Sequence, residues 1–111
     1  MTQYYPDRGD VVWLDYDPQL GHEQAGKRPA MVFSPVEYNK KVGLALFFPI
    51  TSQIKGYPFE VRIKLEKIDG VVLADQIKSL DWKARNIRYI ERAPELLLAE
   101  VREKLEWILD K

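Results

Sequence analysis

Cysteine is absent from the 111 residues, which excludes a disulfide scaffold and any thiolate metal site. One histidine, His22, leaves too few imidazoles for a histidine-based metal cage. No apolar run approaches the roughly 18 to 20 residues needed to span a bilayer. The opening Met-Thr-Gln-Tyr-Tyr-Pro-Asp-Arg lacks the apolar stretch of a secretory signal. Neither sign of charge is in excess, since Lys+Arg and Asp+Glu both number 17, so the global cationic field of a wholly basic nucleic-acid binder is missing. The expectation from these absences is a cytoplasmic protein that works without metal, cofactor or membrane. What is present, 46% hydrophobic and 12% aromatic residues, suffices for one modest core and a single domain over residues 1–111.

The neutral total hides an uneven distribution. Residues 1–26 set Arg8 against Asp7, Asp10, Asp15, Asp17 and Glu23, whereas residues 27–94 carry 13 bases against seven acids. Residues 95–111 return to three bases against five acids. The middle of the chain can therefore build a local anion-binding surface on a neutral molecule.

Short strands followed by one helix are the expected pattern. Asp10–Asp17 is β-branched and aromatic and stops at Pro18, and Ala30–Ser34 and Val42–Phe48 are apolar runs closed by Pro35 and Pro49. Phe59–Leu65 alternates between apolar and polar residues, as a half-buried antiparallel strand does. Asp69-Gly70 reads as a turn before strands over Val71–Ala74 and Ile77–Trp82, with a weaker strand over Arg88–Arg92. From Pro94 onward, Leu97, Val101, Leu105, Ile108 and Leu109 recur at helical spacing, and Glu100 and Lys104 stand four apart. The pattern predicts a mainly β domain, six or seven short strands in a strongly curved sheet or barrel, with a C-terminal helix closing one face. Trp13, Trp82 and Trp107 are assigned to the core.

Two loops hold the groups able to do chemistry. Gly21-His-Glu-Gln-Ala-Gly-Lys-Arg-Pro29 brings Glu23 and Arg28 within five residues of each other. Arg28 offers a planar fork matched to phosphate oxygens, and a carboxylate beside it would stay ionised and able to accept a proton. Thr51-Ser-Gln-Ile-Lys-Gly-Tyr-Pro58 supplies two hydroxyls, an amide, a cation and an aromatic ring, suited to gripping phosphate and stacking on bases. His22, alone in a polar loop, is read as solvated.

These residues carry a likeness. Pro6–Pro18, Gly21–Ala30, Thr51–Glu60 and Asp69–Trp82, in this order and at these separations, resemble the MazF/PemK-type toxins of bacterial toxin–antitoxin modules nearly end to end. The resemblance implies a small SH3-like β-barrel with a C-terminal helix, assembled as a homodimer. It also implies a sequence-specific endoribonuclease that cuts single-stranded mRNA, not DNA, without a metal. A cognate antitoxin would inhibit it by laying a flexible acidic segment across the RNA groove. By motif, Glu23, Arg28 and Thr51 fall on positions implicated in catalysis, while Lys27, Ser52, Gln53, Lys55, Tyr57 and Lys78 would hold RNA. His22 falls where the family varies and stays outside this set.

The inventory suits that chemistry. RNA brings its own nucleophile, a 2′-OH tethered beside the phosphate. The protein has to deprotonate it, stabilise the phosphoryl charge and protonate the leaving 5′-oxygen. Glu23 is expected as base, Arg28 as charge stabiliser and proton donor, and Thr51 as a hydrogen-bond donor to phosphate. Two other classes stay open. A CcdB-like gyrase poison would end in Trp-Gly-Ile, where this chain has Trp107-Ile-Leu-Asp-Lys111. An SH3-like peptide-binding module would have no use for the Glu23/Arg28/Thr51 set.

Overall fold

The central strands of the sheet are buried on both faces, whereas the strand Glu60–Lys64 alternates buried and exposed residues. The computed structural model describes residues 3–16 and 27–111. Among these, seven strands run antiparallel to their partners: β1 (Asp10–Asp15), β2 (Lys27–Val32), β3 (Leu44–Thr51), β4 (Glu60–Lys64), β5 (Asp69–Leu73), β6 (Lys78–Asp81) and β7 (Arg88–Arg92). Their order is β4-β5-β3-β2-β1-β7, and β6 pairs with the first half of β3. One edge of β3 therefore carries β6 at Leu44–Phe47 and β5 at Ile50–Thr51, and the sheet curls there into a half-barrel. Helix α1 (Val36–Val42) links β2 to β3, a 3-10 turn (Trp82–Arg85) follows β6, and helix α2 (Glu95–Asp110) ends the chain. The mainly β architecture with a C-terminal helix is the one expected.

Neighbouring residues on a strand feed two cores. Val11, Met31 and Phe48 join Val61, Ile63, Val72, Leu97, Leu98 and Val101 beneath α2. Val12, Leu14, Ala30, Val32 and Phe47 face the other way, toward Leu80 and Trp82. Each fully buried Val, Leu or Phe contributes about 1.5–3 kcal/mol by leaving water. Polar groups buried with them are matched. Asn39 donates to the carbonyls of Pro6 and Ser34, accepts from the Ser34 hydroxyl, and its own carbonyl accepts from the Trp82 indole. Asp10 accepts from the Tyr4 hydroxyl, the Asp7 amide and the Arg92 guanidinium, tying the start of the chain to β7.

Several sequence expectations need correction. Helix α1 escaped notice because its seven residues bury one side chain, Asn39, and so show no apolar stripe. β2 begins at Lys27 rather than Ala30, because Trp13–Asp15 of β1 offers partners to Lys27–Pro29. β3 runs through Pro49 to Thr51. Asp69-Gly70 is the start of β5, not a turn; a Cβ at Gly70 would lie 2.2 Å from the carbonyl oxygen of Thr51, so glycine permits close approach of the strands. Trp82 is core, but Trp13 and Trp107 are 38% and 56% exposed. The α2 stripe is fully buried only in its first half, where Leu97, Leu98 and Val101 pack; Leu105 is partly buried against the same core, and Ile108 and Leu109 face outward. Lys104 donates to the Pro58 carbonyl and makes no ion pair with Glu100.

Candidate active site

Register places the first group of side chains. β2 and β3 pair Ala30 with Pro49, and Arg28 and Thr51 lie two residues further along their strands, both lining the same clefts. Arg28 shares a face with its β1 partner Leu14 and hence with Tyr16, while Lys78 faces Phe47 and shares that side with Thr51. The sheet thus presents Tyr16, Arg28, Thr51 and Lys78 on one side.

They line a cleft of about 590 Å³, completed by Gln53, Lys55, Gly56 and Tyr57 from the loop after β3, Glu60 of β4, Leu73 of β5, and Gln76. A second cleft of about 540 Å³ lies across a shared wall of Arg28, Ile50 and Thr51, and includes Trp13, Lys27, Ser52, Lys67 and Asp69. Among the described residues, Lys27, Arg28, Lys55, Lys67 and Lys78 outnumber the two lining carboxylates, Glu60 and Asp69. Both carboxylates are engaged. Glu60 accepts backbone amides, and Asp69 bonds Arg62 at 2.6 Å and Lys64 at 3.3 Å. Hydrogen bonds from Arg62 and then Lys64 hold the Asp69 carboxyl below its ordinary range. The clefts are cationic.

The individual groups are poised differently. Arg28 is exposed, and its side chain makes no hydrogen bond or ion pair among the described residues while lining both clefts. The Thr51 oxygen accepts from the Gln53 amide at 3.1 Å, leaving its own proton to donate. Tyr57 is 45% exposed and donates to Asp75. That bond first, and desolvation second, raise the phenol above its usual pKa and keep it neutral. Lys78 lies 5.2 Å from the Tyr16 ring centre.

Eight of the nine sequence-predicted site residues line these clefts: Lys27, Arg28, Thr51, Ser52, Gln53, Lys55, Tyr57 and Lys78. Glu23, like His22, lies outside the described residues. Tyr16, the last described residue before that stretch, lines the first cleft, and Lys27, the first after it, lines the second. Sequence reasoning missed Tyr16, Trp13, Lys67, Gln76 and Glu60 as lining residues. The alternation Val12, Leu14, Tyr16 was the available signal for Tyr16. For Lys67 there was none, since its place depends on pairing between β4 and β5. Among the described residues no three His, Cys, Asp or Glu side chains gather as a metal site.

A half-barrel with this cationic double cleft belongs to a known class. The chain matches, over residues 7–109, the family described as PemK-like, MazF-like toxin of type II toxin-antitoxin system, and it belongs to that family. It is 55% identical over 85 residues to the endoribonuclease toxin MazF of Escherichia coli (strain K12), covering 77% of each chain. It is 33% identical over 108 residues to the E. coli endoribonuclease PemK, covering 93% of this chain and 81% of that one. The crystal structure of MazF (Form-I) from Deinococcus radiodurans superposes with a TM-score of 0.88 at 50% identity, covering 98% of this chain and all of that one (100%). A MazE-MazF crystal structure (Form-II) from the same organism gives 0.87 at 45% identity, covering 97% and 98%.

Proposed function

We propose that this protein is the endoribonuclease toxin of a type II toxin–antitoxin module, cutting single-stranded mRNA at specific sequences. One observation carries the reading: Arg28 and Thr51 stand together on the wall between two cationic clefts, and the Arg28 guanidinium has no partner among the described residues. An unpaired guanidinium beside a hydroxyl with a free proton suits a phosphodiester crossing that wall. Cations on both sides would hold the flanking phosphates, and Tyr57 offers a ring for stacking.

The 2′-OH next to the scissile phosphate is the nucleophile. Glu23 takes its proton, Arg28 stabilises the phosphoryl charge and donates to the leaving 5′-oxygen, and Thr51 bonds a non-bridging oxygen. Glu23 is five residues from Arg28, a contour of at most about 18 Å, and the described residues on either side, Tyr16 and Lys27, line the clefts. The products are a 2′,3′-cyclic phosphate and a 5′-hydroxyl, and no metal takes part. DNA, lacking the 2′-OH, is not cut. The active form is a homodimer, and the cognate antitoxin lays a flexible acidic segment into the cationic clefts. Support for an antitoxin partner comes from the relative solved as a MazE-MazF complex.

The test is incubation of the purified protein with a long mixed-sequence RNA in EDTA, followed by sequencing of the cut ends. Cleavage at a recurring sequence, with cyclic phosphate and 5′-hydroxyl ends, is the expected result. RNA left intact, or activity that returns only with added metal, would overturn the reading.

A further inference from the structure

An acidic side chain lining a cleft built for phosphate opposes the ligand unless its charge is used elsewhere. Glu60, the first residue of β4, is such a group. Its two carboxylate oxygens take separate backbone amides: Oε2 accepts from Lys55 at 3.0 Å, and Oε1 accepts from Gly56 at 3.1 Å. Gly56 sits at φ +79°, left-handed backbone that glycine adopts without strain and that turns these successive amides toward one anion. The Glu60 amide in turn donates to the Tyr57 carbonyl at 3.1 Å.

Helix α2 holds the same loop from behind. Lys104 donates to the Pro58 carbonyl at 2.9 Å, and the rings of Tyr57, Phe59 and Trp107 follow one another with centres 5.9 and 5.8 Å apart. Beyond Leu105, which is partly buried against the core, the second half of α2 is mostly exposed, and this contact gives it a second task.

We infer that Glu60 is a positioning residue, an internal anion that fixes the loop carrying Lys55 and Tyr57, with α2 bracing that loop through Lys104. The inference rests on the endoribonuclease reading and deepens it. The carboxylate organises two amides, and the Lys55 and Tyr57 side chains are thereby held toward the cleft before RNA arrives. Glu60 touches no reacting atom. Its loss weakens binding and leaves the chemical step alone.

Glu60→Gln is the direct variant, because its amide keeps the shape but puts an NH2 donor where one of the two accepting oxygens faces a backbone N–H. Cleavage kinetics, melting temperature, and hydrogen exchange at the Lys55 and Gly56 amides are measured on full-length wild type, Glu60→Gln and Lys104→Met. A Glu60→Gln KM raised roughly tenfold with kcat within about twofold is the expected split, a loss of binding shared by ground and transition states. Exchange at both amides should accelerate with the melting temperature unchanged, and Lys104→Met should move the same quantities the same way by less. An unchanged KM, or a kcat that collapses at constant KM, overturns the inference, as does unchanged exchange at both amides. If Glu60→Gln does not fold, Lys104→Met decides, and unchanged KM and exchange in that variant overturn the inference. If wild type cuts no RNA, the endoribonuclease reading falls, and the exchange data still decide whether Glu60 holds the loop.

Discussion

The two ends of the sheet treat polar groups in opposite ways. Around α1 and the start of the chain, polar side chains are consumed: Asn39 is fully buried with every group matched, and Asp10 holds three donors. At the double cleft, the side chains of Lys27, Arg28 and Lys55 are exposed and bond to nothing among the described residues. An exposed unpaired cation adds little to stability, whereas a buried, fully bonded network is costly to break. The difference separates what holds the fold from what is kept for a ligand. It also says that mutations at the two ends should act on different measurements.

The largest expected effect is at the cleft. Arg28→Ala should lower cleavage by at least about 10²-fold, the scale for removing one electrostatic stabiliser. Its urea midpoint should match wild type, because no bond within the described structure is lost; a normal cleavage rate would remove Arg28 from the chemistry. Asn39→Ala should do the reverse. Stranding the Pro6 and Ser34 partners should destabilise by about 2–4 kcal/mol in urea unfolding, with kcat of the folded fraction unchanged. A stable Asn39→Ala variant with low kcat would erase the contrast between the two ends.

Smaller effects sharpen it. Lys55→Met should weaken RNA binding and flatten the log–log salt dependence by about 0.7, one phosphate contact on a single strand. An unchanged slope would place Lys55 away from phosphate. At the scaffold end, burial and then the hydrogen bond to Asp10 push the Tyr4 phenol far above its ordinary range. The folded state therefore resists its ionisation, so this contribution is complete below the unfolded-state value of about 10 and declines as pH rises past it. Urea midpoints measured upward from about pH 8 should fall more gently in Tyr4→Phe than in wild type. Parallel declines would show that Tyr4 does not set the alkaline limit.

Local patterns reached most of the fold. Alternation from Phe59 to Leu65 and helical spacing after Pro94 each depend on neighbours in sequence, and both elements are present as β4 and α2. What local patterns lacked was pairing. Gly70 carried a turn signature, but its glycine answers the Thr51 carbonyl on another strand. Lys27, Arg28 and Thr51 read as loop residues, yet strand partners hold their backbones. Trp13 follows the strand pattern, and its exposure shows only once the reach of α2 over the sheet is known. The candidate cleft residues were legible because their motifs pack cations, hydroxyls and glycine into two short stretches. Glu60 was visible as a residue but not as an acceptor of two amides, since hydrogen bonds across a turn leave no mark in composition.

The central claim is that RNA supplies its own nucleophile on the wall between the clefts. Two oligonucleotides, identical except for one 2′-deoxy sugar on the 5′ side of the cut, test it in a single cleavage assay. Only the all-ribose strand should be cut, yielding the cyclic phosphate end. Cutting of the deoxy strand at the normal rate would contradict the account.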